Sequence, residues 1–424
     1  MRILASEVKD HIGEGITLLG WVHRIRDLGK ITFIILRDRS GMVQLVTEEK
    51  PDVTVESVIK AEGQVKKNDK APGGVEVLIS RVEVLSRAAH DLPVPVNQDP
   101  KNLGLDAILD NRIISLRNPK ILSIFKLQSN ILKYFARHMR SEDFTEIKTS
   151  KLIGTGTEGG TGLFPVQYFD TKVYLAQSPQ FYKQAMVSSG LERVFEIGAA
   201  YRAEKHDTPR HLNEYVSLDV EMAFIDTEHD LMDLEVRILK TIFNGIRRDN
   251  EDELSQWKAE VPNEEELNRI PRITHDEAKE IIGKKTGSRV FEINPEGERI
   301  LCQWALEEHG IEAVFVYAFP RRKRPFYTYP IENHKTRSFD LLFRGLEITT
   351  GGRRINEYDM LLESIERFHL KAEDLSDYLQ IFKYGCPPHG GFAIGLERLT
   401  QKILGLANVK EASLFPRDRK RTRP

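Results

Sequence analysis

The first 86 residues constrain the fold most. Five short segments rich in β-branched residues follow one another: ITLLGWVHRIR, ITFIILRD, MVQLV, VIKAEGQV and VEVLISRVEVL. Turn signals at Asp27-Leu28-Gly29, Arg39-Ser40-Gly41 and Pro72-Gly73-Gly74 separate them. Five strands in so short a span predict a Greek-key β-barrel of the OB type over 1–86, a fold that often grips single-stranded nucleic acid. The pattern alone fits a ligand-free barrel as well.

The rest of the chain reads differently. The stretch 87–119, with AAHDLPVPVNQDP near its start, crowds prolines and lacks periodicity, which predicts a hinge or linker. From Ile121 to Met139 apolar residues return at helical spacing through Ile124, Leu127, Ile131, Leu132 and Phe135. Beyond it β-like and helical segments alternate over 120–424, with a charge-rich helical insertion at about 227–310. No apolar run is long enough for a membrane span, and the start lacks a signal peptide's apolar core. Only Cys302 and Cys386 are present, outside any CxxC, which argues against a disulfide scaffold and fits a reducing cytoplasm. With 62 basic and 64 acidic residues, a nucleic-acid partner must be held by local basic patches.

Some motif-like strings carry little weight. His11-Ile12-Gly13-Glu14 imitates a HIGH signature but precedes a β-rich unit and has no KMSKS-like partner. Gly154 to Gly159 fits GxGxxG without the helix and acid of a dinucleotide site. There is no Walker A sequence, and His206 and His211 lack a third zinc ligand nearby.

Two blocks carry chemistry. Tyr201-Arg202-Ala203-Glu204, running through Arg210-His211 to Tyr215 and Asp219-Val220-Glu221, reads as two strands joined by a charged loop. An arginine there can clamp phosphate, an acid can accept from an exocyclic amine and an aromatic can stack on a base. Taken alone, the block favours a solvated hairpin with surface ion pairs. Cys386-Pro-Pro-His389-Gly390-Gly391 through Gly395-Leu-Glu397-Arg398 reads as a glycine-rich strand entering a helix, where a ligand can approach the backbone beside a guanidinium. A structural turn with a surface arginine is its other reading.

Together the blocks resemble motifs 2 and 3 of class II aminoacyl-tRNA synthetases, with Gly391, Ala393 and Gly395 in place of an all-glycine pattern. Motif 1 would be the helix after 120 and the strand ending FTEIKTSKLI, where Ser150 replaces the family's proline. The resemblance covers essentially the whole chain and narrows to aspartyl-tRNA synthetases of the archaeal type. Thr157-Glu158-Gly-Gly-Thr161 with Leu163-Phe164-Pro165 looks like that family's flipping loop. Gln177-Ser178-Pro-Gln180, Glu347-Ile-Thr-Thr350 with Arg353-Arg354, and FPRDRKR match further segments. It implies an N-terminal OB-fold barrel and a catalytic domain with an antiparallel sheet flanked by helices.

By this resemblance Arg202 holds the ATP α-phosphate and Arg398 the γ-phosphate, Glu204 contacts adenine, Tyr215 stacks on it and His211 lies near the triphosphate. Asp340, Glu347 and the Thr350 hydroxyl would bind magnesium, whose preference is for hard oxygen ligands. The aspartate α-carboxylate attacks the α-phosphorus to give aspartyl-adenylate and pyrophosphate, and a tRNA 3′-terminal hydroxyl then attacks the adenylate. The protein aligns reactants and neutralises charge. Glu158 belongs to the loop over aspartate, Asp219, Gln180 and Ser178 hold the α-ammonium side, and Arg354 and Lys183 face the β-carboxylate. Two buried cations left without counter-charge by asparagine would reject it at a cost on the order of 3–5 kcal/mol.

The barrel would read the anticodon. Phe33 resembles the residue that stacks on its middle base, and Gln44 and Arg26 match positions near the anticodon uridine. His23 and Pro72 stand where discriminating enzymes of this type have Trp and Lys, and so resemble the non-discriminating group that charges both tRNA-Asp and tRNA-Asn. The resemblance further implies a cytoplasmic homodimer, with an amidotransferase to receive misloaded Asp-tRNA-Asn. A discriminating enzyme, an asparaginyl-tRNA synthetase and a tRNA-binding paralogue without catalysis are the rival readings. The TEGGT loop and Arg354 argue against the second, and Arg202, Glu204, Glu347 and Arg398 against the third.

Overall fold

The computed structural model describes residues 2–156, 162–204 and 207–423. The chain divides into two compact units after Ile121.

In the first unit a 3-10 turn (Ala5–His11) precedes β1 (Gly15–Asp27), β2 (Thr32–Arg37), β3 (Met42–Thr47), β4 (Val58–Lys67) and β5 (Val75–Ser86). These strands close into a barrel in the order β1-β2-β3-β5-β4. Closure removes the open strand edges that would otherwise invite pairing with other chains. Thr32, Ile34 and Leu36 point inward beside Leu18, Val22, Leu45, Ile59 and Val77, the two-residue period of a strand with one buried face. Phe33 and Ile35, between them, lie on the outer face and are half-buried. The β4–β5 connection turns at Pro72, and Gly73 and Gly74 take positive φ (78° and 76°), which a side chain would resist.

The stretch expected to be a hinge is not bare. It carries the short helices α1 (Leu105–Asp110) and α2 (Arg112–Ser115) and is grouped with the barrel up to Ile121. Thr54 donates to the Ala88 oxygen, and buried Glu56 pairs with Arg37 at 2.9 Å and Arg117 at 3.4 Å. Helices this short show no repeat of apolar residues, so sequence periodicity passes over them.

The second unit begins in α3 (Pro119–Ser141), followed by β6 (Thr145–Glu146), β7 (Leu152–Ile153), β8 (Pro165–Tyr168), β9 (Thr171–Leu175) and α4 (Gln180–Met186). The hairpin β10 (Arg193–Tyr201) and β11 (Glu214–Ala223) comes next. Then α5 (Glu228–Asp249), α6 (Glu251–Trp257), α7 (Glu264–Asn268), β12 (Arg272–Thr274), α8 (His275–Thr286) and α9 (Pro295–His309) lead to β13 (Ala313–Tyr317). After β14 (Pro330–Ile331) and β15 (Lys335–Thr336) come β16 (Ser338–Phe343), β17 (Leu346–Arg353), α10 (Tyr358–Arg367), α11 (Ser376–Lys383), β18 (His389–Gly395) and α12 (Leu396–Leu404).

An eight-stranded sheet runs β12-β13-β16-β17-β18-β11-β10-β6, antiparallel apart from the β12–β13 and β10–β6 pairs. One of its faces packs on α3 and α5, where Leu127, Ile131, Phe135, Ile238 and Ile242 meet Phe195, Val220, Leu341 and Phe392. A capping box of Thr227 and Asp230 starts α5 and satisfies its first backbone donors. With one face of the central strands committed to this core, their alternate residues are free to be polar on the other.

Candidate active site

On β11, Tyr215, Ser217, Asp219 and Glu221 alternate with the core residues Leu218 and Val220. In register on β18 stand Gly395, Ala393 and Gly391, opposite Ser217, Asp219 and Glu221. A Cβ on Gly391 would come within 2.1 Å of the Val220 oxygen and 2.2 Å of Glu221 Oε2, so glycine there makes room for a buried carboxylate. On the other side of β18, β17 is bulged: Leu341 pairs with Thr349 and Leu342 with Glu347. The extra residue, Ile348, lets Glu347 share the polar face of Thr350.

Two cavities lie over this face and share Arg202, Tyr215, Ser217, Glu347, Thr350 and Ala393, so they open into each other. The first is also lined by Glu204, Arg210, His211 and Arg398. The Arg202 guanidinium lies over the Tyr215 ring at 5.8 Å. Arg398 donates to the Glu347 backbone oxygen at 2.9 Å and lies 3.3 Å from its carboxylate. Glu204 is 3.5 Å from His211 Nε2, and Thr208 Oγ1 fixes the other ring nitrogen at 2.6 Å. Arg210 donates to both oxygens of Glu298, one of which accepts from the Glu347 N–H. At the foot of the cavity the Val216 N–H donates to both Glu397 oxygens, and burial still pushes that carboxyl up to about 7.

The second cavity, about 580 Å³, is in the usual size range for small-ligand sites and takes in Ser178, Gln180, Lys183, Asp219, Arg324 and Arg354. Lys183 Nζ is 2.8 Å from Asp219 Oδ1 and 3.5 Å from Glu221 Oε2. Arg354 Nε donates to Glu221 Oε1 at 3.2 Å, while its Nη2 donates to Gln180 Oε1 and the Gly391 oxygen, both at 3.1 Å. Gln180 Nε2 in turn donates to Glu221 at 3.2 Å. Burial opposes the charge on Glu221, but Arg354 and Lys183 outweigh it and hold the carboxyl below its ordinary range. One expectation is corrected here. Lys183 and Arg354 do not wait unpaired for a substrate carboxylate, because each already has an acidic partner in the protein. Gln180 is likewise committed between Arg354 and Glu221 and does not face the ligand space freely.

Asp340 on β16 stands opposite Thr350 on β17. Burial, with Glu347 adding to it and Arg324 opposing, pushes the Asp340 carboxyl up to about 6. Arg324 Nη2 lies 2.7 Å from Asp340 Oδ2, and Nη1 donates to Thr350 Oγ1 at 2.8 Å. Among the described residues no group of three His, Cys, Asp or Glu side chains is placed to hold a metal. Asp340 Oδ1 is nevertheless buried without a hydrogen-bond donor, and an oxygen pair plus a hydroxyl suits a hard cation that keeps most of its other ligands from water and phosphate.

In the barrel, Arg26 pairs directly with Phe33, and Gln44 sits opposite Ile35, two residues along the same outer face. Gln44 Nε2 donates to Glu76, which also accepts from Asn68 Nδ2. The Asn68 N–H closes the turn holding Pro72 by donating to the Gly74 oxygen. His23 is different: it is the extra residue of a bulge in β1, is buried, and desolvation with nearby Arg37 and Arg24 pulls its ring down to about 4. It can shape the barrel wall but does not present a ring to a base.

The fold thus gathers Arg202, Glu204, His211, Tyr215, Glu347, Thr350 and Arg398 in one cavity and Ser178, Gln180, Lys183, Asp219 and Arg354 in the adjoining one. Glu158 lies outside the described residues. Sequence reasoning passed over Ser217 and Arg324, and it placed Arg210 and Glu221 in the charged block without giving either a role. Ser217 and Glu221 were within reach, since they continue the two-residue period of Tyr215 and Asp219. Arg210 and Arg324 find their partners Glu298 and Asp340 only through the tertiary fold.

Residues 104–419 match the family model of class II tRNA synthetases (D, K and N), and 16–85 match the OB-fold nucleic acid binding domain. The chain is 48% identical, over all of both chains, to the Thermus thermophilus protein named aspartate--tRNA(Asp/Asn) ligase. The chain belongs to the class II aspartyl-tRNA synthetases. This synthetase is also 43% identical, over 99% of each chain, to the aspartate--tRNA(Asp) ligase of Pyrococcus abyssi. Its structure superposes on asparaginyl-tRNA synthetase from Pyrococcus horikoshii complexed with asparaginyl-adenylate, with a TM-score of 0.91 at 29% identity over the full length of both. The synthetase is an aminoacyl-tRNA ligase with ATP as a substrate and an OB-fold domain for tRNA. None of its described helices is long and apolar enough to cross a membrane.

Proposed function

We propose that this aspartate--tRNA ligase forms aspartyl-adenylate across the two joined cavities and passes the aspartyl group to both tRNA-Asp and tRNA-Asn. The observation that carries the catalytic part is the continuity of an arginine-lined cavity with a pocket of buried ion pairs. In this reading Arg202 and Arg398 bracket the triphosphate, with His211 beside it. Adenine lies against Tyr215, on the ring that Arg202 covers, and Glu204 accepts from its amine. Aspartate occupies the second cavity with its α-ammonium toward Asp219 and Ser178 and its β-carboxylate toward Arg354 and Lys183. Glu158, in the segment that resembles the family's flipping loop, is assigned to aspartate in the same reading. Attack by the α-carboxylate on the α-phosphorus needs no nucleophile from the protein. Alignment and fixed positive charge lower the barrier.

Magnesium would be held by Asp340, Glu347 and Thr350, where it would neutralise phosphate charge. The buried, donorless Asp340 Oδ1 supports that assignment. A homodimer built on α3 and the segment that leads through Ser150 into β7 is supported by the exposed side chains of Leu122 on α3 and Leu152 on β7. Free Cys302 and Cys386 agree with a cytoplasmic setting, and an amidotransferase would be the consumer of Asp-tRNA-Asn.

Relaxed tRNA choice rests on His23 and Pro72. Pro72 lies in the turn that Asn68 closes, and Asn68 shares Glu76 with Gln44, so a change at this turn reaches the base-reading face. His23 acts from within the wall of β1. Relatives of both kinds are similar to this chain, one named for tRNA(Asp/Asn) and one for tRNA(Asp). The test is aminoacylation of purified tRNA-Asp and tRNA-Asn side by side, with the wild type and with His23→Trp/Pro72→Lys. The wild type charges both, and the double variant loses tRNA-Asn first. No charging of tRNA-Asn by the wild type refutes the relaxed reading.

A further inference from the structure

Arg324 is the one cationic group seen directly on the two oxygen donors Asp340 and Thr350 among the described residues. Its guanidinium reaches Asp340 Oδ2 at 2.7 Å with one nitrogen and Thr350 Oγ1 at 2.8 Å with another. The guanidinium thus holds the pair by one hydrogen bond, to Thr350, and one close ion pair, to Asp340. Behind it the Phe319 ring faces the guanidinium, with 3.8 Å from the central carbon to the ring centroid. Across the strands, register places Asp340 and Thr350 opposite each other, so the arginine bridges β16 and β17 at their polar face. The side chain is only 11% exposed, yet it lines the second cavity, so it borders ligand space without being a surface group.

We propose that Arg324 is a resident counter-cation: in the nucleotide-free enzyme it occupies the ground between Asp340 and Thr350 and is exchanged for a divalent ion when that ion arrives with ATP. This rests on the assignment of Asp340, Glu347 and Thr350 as magnesium ligands. The physical need for such a group is plain. Asp340 is buried, Glu347 adds negative charge nearby, and carboxylates so placed cost heavily unless paired. A free divalent ion could meet that need, but it would then have to be present before the nucleotide. An arginine meets it without a metal, and it sits on the Thr350 hydroxyl and on Asp340 Oδ2, beside the donorless Oδ1, so guanidinium and ion compete for Thr350 and exclude each other by charge. Bare metal is kept out, and the ion enters with its phosphates, which supply the remaining ligands that Asp340 and Thr350 cannot. Arg324 is a positioning residue in this scheme. It keeps two donors on neighbouring strands in place for the ion and forms no bond to reacting atoms.

The test measures metal, not turnover. Mn2+ binding to the nucleotide-free, full-length enzyme is followed by the electron paramagnetic resonance signal of the free ion, for wild type, R324K, R324Q and R324Q/D340N. Removing one positive charge at contact distance is expected to tighten Mn2+ binding by at least about tenfold in R324Q relative to wild type. R324K keeps the charge and stays close to wild type, and R324Q/D340N loses the added site. Equal Mn2+ binding by wild type and R324Q overturns the proposal. Should R324Q fail to fold, anomalous diffraction from wild-type crystals soaked in Mn2+ decides. Mn2+ between Asp340 and Thr350 without ATP overturns the exchange. Its appearance there only with ATP, with Arg324 displaced, supports it. Crystals with ATP and Mn2+ that leave Asp340, Glu347 and Thr350 empty defeat the ligand assignment instead, a result distinct from failure of the exchange.

Discussion

Replacing Arg354 by glutamine separates a substrate ligand from a structural ion pair. Glu221 is fully buried, with Arg354 Nε at 3.2 Å and Lys183 Nζ at 3.5 Å as its cationic partners. Breaking a buried pair by removing one member costs about 3–5 kcal/mol, and the low end applies here because Lys183 remains, shared with Asp219. Losing a charge-assisted bond to the substrate costs about 1.5–3 kcal/mol, or roughly 10- to 150-fold in kcat/KM for aspartate. Arg354→Gln should therefore melt at lower temperature and exchange pyrophosphate into ATP more slowly with aspartate. The companion variant Arg354→Gln/Glu221→Gln removes the stranded carboxylate, so its melting temperature should climb back toward wild type while exchange stays low. Both are read by a thermal melt and by aspartate-dependent ATP–pyrophosphate exchange at varied aspartate. If the double variant regains exchange along with stability, Arg354 only props Glu221 and the substrate role assigned to it is wrong.

Two further predictions use other parts of the molecule. Burial pushes the Glu235 carboxyl up to about 8, against the hydrogen bond from Thr349 Oγ1. Its folded pKa lies above the unfolded value of 4.5, so between those values the native state binds the extra proton. Stability then falls as pH rises through that window, by about 5 kcal/mol at most, and Glu235→Gln should grow more stable than wild type from pH 5 to 8.5 in urea denaturation. Parallel curves for the two proteins would refute this. In the barrel, Phe33→Ala would remove the ring that the resemblance assigns to stacking on an anticodon base, a contact worth roughly 1–3 kcal/mol. The KM for tRNA should rise while aspartate-dependent exchange holds, and an unchanged tRNA KM would place Phe33 outside the contact.

Legibility in the sequence followed the range of the interactions. The barrel was readable because each strand declares itself locally, as in the inward Thr32, Ile34 and Leu36 with outward Phe33 between them. The cavity residues on β11 and at the start of α12 were readable as motif blocks, since Tyr215, Asp219 and Arg398 sit in short strings whose spacing is set by one strand or one helix turn. What stayed hidden depends on partners far along the chain. Arg324 meets Asp340 across strands, Arg210 meets Glu298 from the helical insertion, and the bulge that sends His23 into the wall of β1 depends on how that strand pairs with β2. The helices at 105–115 were missed for the opposite reason, being too short for any period to show.

Local reading also mistook the origin of amino-acid choice. A pocket with two cations seems built to attract a dicarboxylate by net charge, but Lys183 and Arg354 are balanced by Asp219 and Glu221. A balanced pocket leaves no stranded charge between turnovers, which matters because all four groups are buried. Selection must then lie in the direction of hydrogen bonds. In the proposed pose Arg354 and Lys183 offer only N–H groups to the incoming side chain. A carboxylate accepts at both oxygens, whereas an amide turns one N–H2 toward donors. A donor left facing a donor in a buried site costs about 1–3 kcal/mol, so this mismatch gives roughly a 5- to 150-fold preference by itself. Any stronger rejection of asparagine must come from elsewhere, and exchanging the sequence at 157–161, which the resemblance assigns to aspartate, for an asparaginyl-type sequence would reveal it.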